Sequence, residues 1–317
     1  MFLESFKVTG TAVAQIFFLG ALGYFLIRKK ILAEEGLNAL SELVIDVTLP
    51  LMIFSQLIKD FSFSLYPDWW IFPLISIAVT VTGLIVGFAF MGFIGGGQKK
   101  LQFLNLVAFQ NSGYLPIPLV AAFLAPDKLS AMFIYIFLFL LGFNLVMFSV
   151  GLYILSYAKN GKFKMMTLLN PPVFATLASL ALIFLGLNKF IPETVLSPMR
   201  MMGNCTVPLA MLVVGANLAM IRLRDIDAKA MLLLASAKLI ILPALGLLFI
   251  TKFRIPELIG LLIILQLAVP SATNLSVIIR SYKKEDLLIS QGVFVTHLGS
   301  IVTLPLFLSL YFTLKAW

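Results

Sequence analysis

Ten apolar runs, each long enough to cross a bilayer and each closed by a short polar connection, leave this chain few ways to fold. A hydrocarbon core of about 30 Å takes about 20 apolar residues of helix. In lipid a backbone must also satisfy its own N–H and C=O groups, which a helix does within one segment. By that measure the spans are 8–27, 37–58, 69–94, 101–124, 129–157, 172–187, 198–221, 228–250, 257–279 and 288–314. Composition agrees, since 61% of the 317 residues are hydrophobic and 12% are charged, against about a quarter charged in soluble domains. The sequence predicts an all-α integral membrane protein with no soluble domain. Only Lys7 precedes the first run, and Arg28, Lys29 and Lys30 follow it. That is the reverse of signal-peptide charge order, so the first run is expected to stay as a span.

The net charge of +9 follows from topology. Of 23 Lys and Arg, 14 lie in or at the edges of connections after odd-numbered spans and 6 in or at the edges of connections after even-numbered ones. The positive-inside rule then places the odd connections in the cytoplasm and both termini outside, in a plasma or inner membrane. No nucleic-acid partner is needed to explain the basic residues. Cys205 is the one cysteine and falls inside a span, where a small buried packing role is expected. No metal cluster, nucleophile elbow, phosphate-binding loop or pair of intramembrane aspartates stands in the sequence. Enzymatic activity, a cofactor and a bound metal are therefore not expected, and pumping driven by ATP would need a separate subunit.

The chain reads as two related halves. "VTLPLMIFSQL" in span 2 corresponds to "CTVPLAMLVVGANL" in span 7, aligning Thr48 and Pro50 with Thr206 and Pro208. "LVAFQNSGYLP" in span 4 corresponds to "LIILQLAVPSATN" in span 9, aligning Gln110 with Gln266 at nearly the same offset. Five spans per half is an odd number, so the second half must enter the membrane from the opposite side. The expected organisation is a first five-helix repeat over 1–158, a short cytoplasmic linker over 159–170 and a second five-helix repeat over 171–317. Inverted repeats with interrupted helices in matching positions are characteristic of secondary transporters.

Span 4 holds the string "NSGYLPIPL" at the depth where water is scarcest. Pro116 and Pro118 lack backbone donors and should push Leu115 and Ile117 out of helical angles, while Gly113 lets the chain turn. A break near 112–117 follows, with a partner break at Pro270, Ser271, Ala272, Thr273 and Asn274 in span 9. Unpaired backbone at that depth survives only inside protein or beside a wet cavity. If the two breaks cross, half-helix amino ends with free amides and partial positive charge converge on one point, which suits an anion. A lone proline kink would explain one break, but not two matching ones.

At these residues the sequence resembles the auxin efflux carrier family. The strings that carry the resemblance are "NSGYLPIPL", "VPLAMLVVGANLA" and "PSATNLSVI". The resemblance implies a scaffold of helices 1, 2, 6 and 7 and a transport domain of helices 3–5 and 8–10. It implies a small organic anion, auxin-like or a dicarboxylate, bound where helices 4 and 9 cross, with elevator motion of the transport domain and a possible homodimer. By the same resemblance Asn111, Pro116 and Pro270 line the site. Around them Gln110, Ser112, Gly113, Tyr114, Ser271, Thr273 and Asn274 complete the candidate set. The long central loop of plant carriers is absent here, and no charged residue lies between Trp70 and Gly92.

Charges inside spans are costly and so are functional candidates. Asp46 in span 2 could bind a cation or carry a proton, or cap backbone freed by Pro50. Lys238 in span 8 could attract an anion or stand in for a coupling cation, or simply reach for an interface. His297 in span 10 could relay protons or serve as a packing residue. Gly83 and Gly87 form a GxxxG pair that marks close helix packing, within the chain or at a dimer contact. No carboxylate sits in either break to hold sodium, so proton-coupled or uncoupled transport is expected. The rival reading is a membrane sensor that keeps a carrier fold and moves no cargo; a channel is a weaker third.

Overall fold

The computed structural model describes residues 2–156, 168–221, 226–275 and 287–315, and all regular structure among them is helical. In chain order the helices are α1 (Phe2–Arg28), α2 (Glu34–Asp60), α3 (Ile71–Met91), α4 (Gly97–Ala108), α5 (Pro116–Phe123) and α6 (Pro126–Leu155). They continue with α7 (Pro171–Phe184), α8 (Glu193–Ala219), α9 (Ala228–Lys252), α10 (Glu257–Ala268) and α11 (Leu287–Lys315). Seven of these, α1, α2, α3, α6, α8, α9 and α11, are long and apolar enough to cross a membrane. The fourth apolar run is divided between α4 and α5, and α7 and α10 are shorter apolar helices. Most of the expected central linker, including 159–164, lies outside the described residues.

In two of the long helices a proline is accommodated by a wider turn. In α2, residues Leu43–Thr48 wind as a π-helix, and the N–H of Leu49 reaches the carbonyl of Val44. Pro50 follows directly; it has no N–H, and its ring would strike the carbonyl four residues back in a regular helix. The same arrangement precedes Pro243 in α9, where Ser236–Ile241 form the π turn and Leu242 N–H reaches Ala237 O. The expected alternative, an Asp46 cap on the freed backbone, does not occur. Asp46 is exposed and makes no hydrogen bond or ion pair among the described residues, because the π turn has already re-paired the neighbouring backbone.

Cys205 also departs from expectation. It sits at the joint between the two parts of α8, exposed, with Sγ donating to the carbonyl of Met201 at 3.6 Å. A span is apolar on its lipid face as well as its packed face, so a small residue in an apolar run need not point inward.

The GxxxG pair is resolved within the chain. A Cβ on Gly83 would stand 2.7 Å from Cα of Ala108, and one on Gly87 would stand 2.9 Å from Cδ1 of Leu104. The missing side chains therefore let α3 lie directly on the last turns of α4. On its other side α3 packs against α6, whose buried run of Met132, Phe133, Ile134, Ile136, Phe137, Leu138 and Phe139 makes it the most enclosed span. The first helix, α1, packs along α8 and α11, while α2 packs against α7 and the first part of α8. Next to α4 and α6 stand α11 and α10, respectively.

Candidate functional site

After Ala108 the chain leaves the helix: Phe109 is extended, residues 109–115 are non-helical, and α5 starts at Pro116. After Ala268 it does so again, with Val269 extended and residues 269–273 non-helical. The two segments meet in an isolated antiparallel bridge between Gln110 and Ser271. Asn111 N–H donates to the carbonyl of Pro270 at 2.8 Å, and Ala272 N–H donates to that of Phe109 at 3.0 Å. Backbone polarity lost from two helices is thus recovered between them, as buried backbone requires.

The carboxyl end of α4 is satisfied by other parts of the chain. Asn105 O accepts from Phe109 N–H at 2.9 Å, Leu106 O from Ser271 Oγ at 2.6 Å and Val107 O from Lys238 Nζ at 3.1 Å. Lys238 is 1% exposed and forms no ion pair among the described residues. Its ammonium meets the partial negative charge of a helix carboxyl end, an arrangement that favours a cation. Lys238 therefore lies behind the junction and does not line the cavity described below.

The amino end of α5 differs from expectation. Leu115 is in the right-handed helical region, and Pro116, Ile117 and Pro118 form the first turn of α5. Proline at the first helical position lacks a donor that would be unpaired anyway, so these prolines start a helix where they were expected to disrupt one. Free amides are correspondingly scarce there. Pro116 and Pro118 have none, while Ile117 N–H donates to Gly113 O and Leu119 N–H to Leu115 O. An anion at this point finds the helix dipole and side-chain amides, not a backbone cradle.

Beside the bridge lies a cavity of about 110 Å³. Seven of the residues singled out from the sequence line it: Gln110, Asn111, Ser112, Gly113, Tyr114, Thr273 and Asn274. Pro116, Pro270 and Ser271 do not line it; they shape the backbone around it, with Ser271 Oγ turned to Leu106 O. Asp46 is also outside it, and its neighbours Ile45 and Leu49 line the wall instead. His297 is fully buried behind Asn111. Its Nδ1 bonds the acceptor-only carbonyl of Val293 at 2.8 Å, which places the ring proton there and leaves Nε2 to accept from Asn111 Nδ2 at 3.3 Å.

Sequence reading missed two amides in this cavity. Asn144 on α6 and Asn170 at the start of α7 both line it, with Leu140, Phe143, Met147, Phe148 and Pro172. Asn170 caps α7, its Oδ1 accepting from Val173 N–H at 3.1 Å. A lone Asn inside an apolar span and an Asn-Pro-Pro helix start were the available signals. Several buried polar atoms here have no partner in the protein: both ends of the Gln110 amide, Tyr114 OH and Asn170 Nδ2. Each such atom costs about 1–3 kcal/mol if left bare, so this is a place prepared for polar contents.

A family model described as membrane transport protein matches residues 8–167 and 157–308. The chain belongs to that family. An uncharacterized transporter of Methanothermobacter thermautotrophicus is 27% identical over 300 residues, covering 93% of this chain and 95% of that protein. Protein PIN-LIKES 6 of Arabidopsis thaliana is 28% identical over 123 residues, covering 38% of this chain. That match spans only 28% of the plant protein's length. The resemblance drawn from spans 4, 7 and 9 to auxin efflux carriers is thereby upheld. As a family member the chain is an integral membrane transporter and not an enzyme.

Proposed function

We propose that the chain is a secondary carrier for a small organic anion bound in the 110 Å³ cavity beside the Gln110–Ser271 bridge. The observation that carries this reading is the gathering of unpaired buried amide and hydroxyl atoms of Gln110, Tyr114 and Asn170 around Asn111. Amides and hydroxyls dominate the polar part of its wall, which suits a small carboxylate.

The cavity wall supports an alternating-access mechanism. Ile45, Leu49, Asn170 and Pro172 come from α2 and α7, while Asn111, Asn144 and Thr273 come from the segments around α4, α6 and α10. On this reading α1, α2, α7 and α8 form the scaffold and the remaining helices the transport domain, as two inverted repeats would give. Sliding one block past the other exposes the cavity to each side in turn. No acidic residue lines it, which favours proton-coupled or uncoupled transport over sodium coupling.

The test is charge movement on solid-supported membranes with reconstituted protein and a panel of short carboxylates, with and without sodium or a pH gradient. Saturable currents for one anion, lost in Asn111→Ala, support the carrier. Thermal-shift binding without any flux of labelled anion would instead identify a non-transporting sensor.

A further inference from the structure

A second cavity, of about 340 Å³, lies between α1, α8 and α11, with Leu115 from the non-helical segment before α5 also in its wall. Its size is in the range of ligand sites, about 300–1,000 Å³. Phe17, Ala21, Val214, Leu298 and Ile301 are among its walls, and Tyr24 supplies its one hydroxyl. It exists because the residues at its floor are small: Gly20 and Gly215 bring the α1 and α8 backbones into direct contact. Leu298 and Ile301 are 48% and 39% exposed, so the cavity opens on the face of the protein that meets hydrocarbon. An apolar hollow on such a face leaves wall atoms without dispersion partners until something apolar fills it.

The polar end of the hollow is specific. Tyr24 OH accepts from Arg28 Nη2 at 3.1 Å and Nε at 3.2 Å, and the guanidinium lies 5.4 Å from the ring centroid. Arg28, Lys29 and Lys30 are all exposed, and among the described residues none pairs with a carboxylate, although Glu34 and Glu35 open α2 nearby. An apolar slot thus ends at a tyrosine and a tethered arginine, with two further exposed lysines following in the chain. We infer that this seam binds an anionic phospholipid of the surrounding bilayer, one acyl chain filling the cavity and the phosphate held at Arg28. Basic residues at a span end attract acidic lipid headgroups, and tyrosine is suited to that depth. A lipid here would wedge α1 against α11, whose contact joins the two blocks that the carrier reading has sliding past each other.

Native mass spectrometry of the protein released from nanodiscs of phosphatidylcholine and phosphatidylglycerol in equal parts tests the inference. Wild type is expected to retain one phosphatidylglycerol per chain. Arg28→Gln, an exposed change that spares the packing, should weaken that retention about five-fold, the factor for about 1 kcal/mol per basic residue. Ala21→Trp should fill the slot and remove the retained lipid. Equal retention of the two lipids by wild type would overturn the proposal, as would unchanged retention in both variants. A wild-type dimer that Ala21→Trp dissociates would also overturn it, by showing a second copy in the slot.

Discussion

Nδ2 of Asn111 lies 3.3 Å from Nε2 of His297, so the amide that lines the cavity is held from behind by a ring on α11. The ring is itself fixed by Val293 one turn earlier on the same helix. Of the two roles open to His297, proton relay or packing, these contacts favour packing, with the ring as the support of an amide. His297 has no opening to the cavity, and its ring proton is committed to a carbonyl.

His297→Gln, whose amide oxygen can replace Nε2 as acceptor, is therefore expected to keep more transport than His297→Ala. The His297→Ala loss should be a rise in apparent KM, because Asn111 is freed to rotate, with the pH dependence of transport unchanged. A shifted pH profile would return His297 to the relay role.

Asn111→Ala should cost about 1–3 kcal/mol of anion binding, or roughly five- to 150-fold in affinity. Isothermal titration against the best carboxylate of the panel measures this directly. Full affinity in the variant would move the site away from the bridge.

Lys238 donates to Val107 O in a fully enclosed setting. Lys238→Met keeps the volume and removes a buried charge, so it should fold with a modest change in Tm. Lys238→Glu puts a like sign against the carboxyl end of α4 and leaves a buried unpaired charge, a change of about 3–5 kcal/mol. Loss of the folded, monodisperse protein on size exclusion is expected for Lys238→Glu alone.

Asp46 is exposed and outside the cavity. Asp46→Asn is expected to leave transport, and its response to sodium and pH, as in the wild type. An altered ion dependence in this variant would show that α2 carries the coupling charge.

Gly83→Ala places a methyl group 2.7 Å from Cα of Ala108. Backbone cannot yield as a side chain does, so overpacking of about 1–3 kcal/mol is expected. The lowered Tm should come with weaker anion binding, since Ala108 immediately precedes the bridge segment. A fall in Tm with binding unchanged would separate α3 packing from the site.

Much of this was open to reading from the linear chain. Lipid imposes helices on apolar runs, so the class of the protein follows from run length alone. Asn-Ser-Gly and Pro-Ser-Ala-Thr are non-helical strings inside such runs, and the cavity lies beside them. The prolines were misread because proline both stops a helix and starts one; which it does at 116 depends on the turn that precedes it.

The sequence determined that helices would form, roughly where they would end, and which segments could not be helical. Tertiary structure alone decided what those segments face: that Lys238 caps α4, that His297 braces Asn111, and that Asn144 and Asn170 join Asn111 from helices distant in the chain. The reason is physical. In water an apolar stripe points to the core, but in a bilayer both the lipid face and the packed face of a helix are apolar. Periodicity therefore carries little information about which side turns inward, and only the packing of one helix on another supplies it.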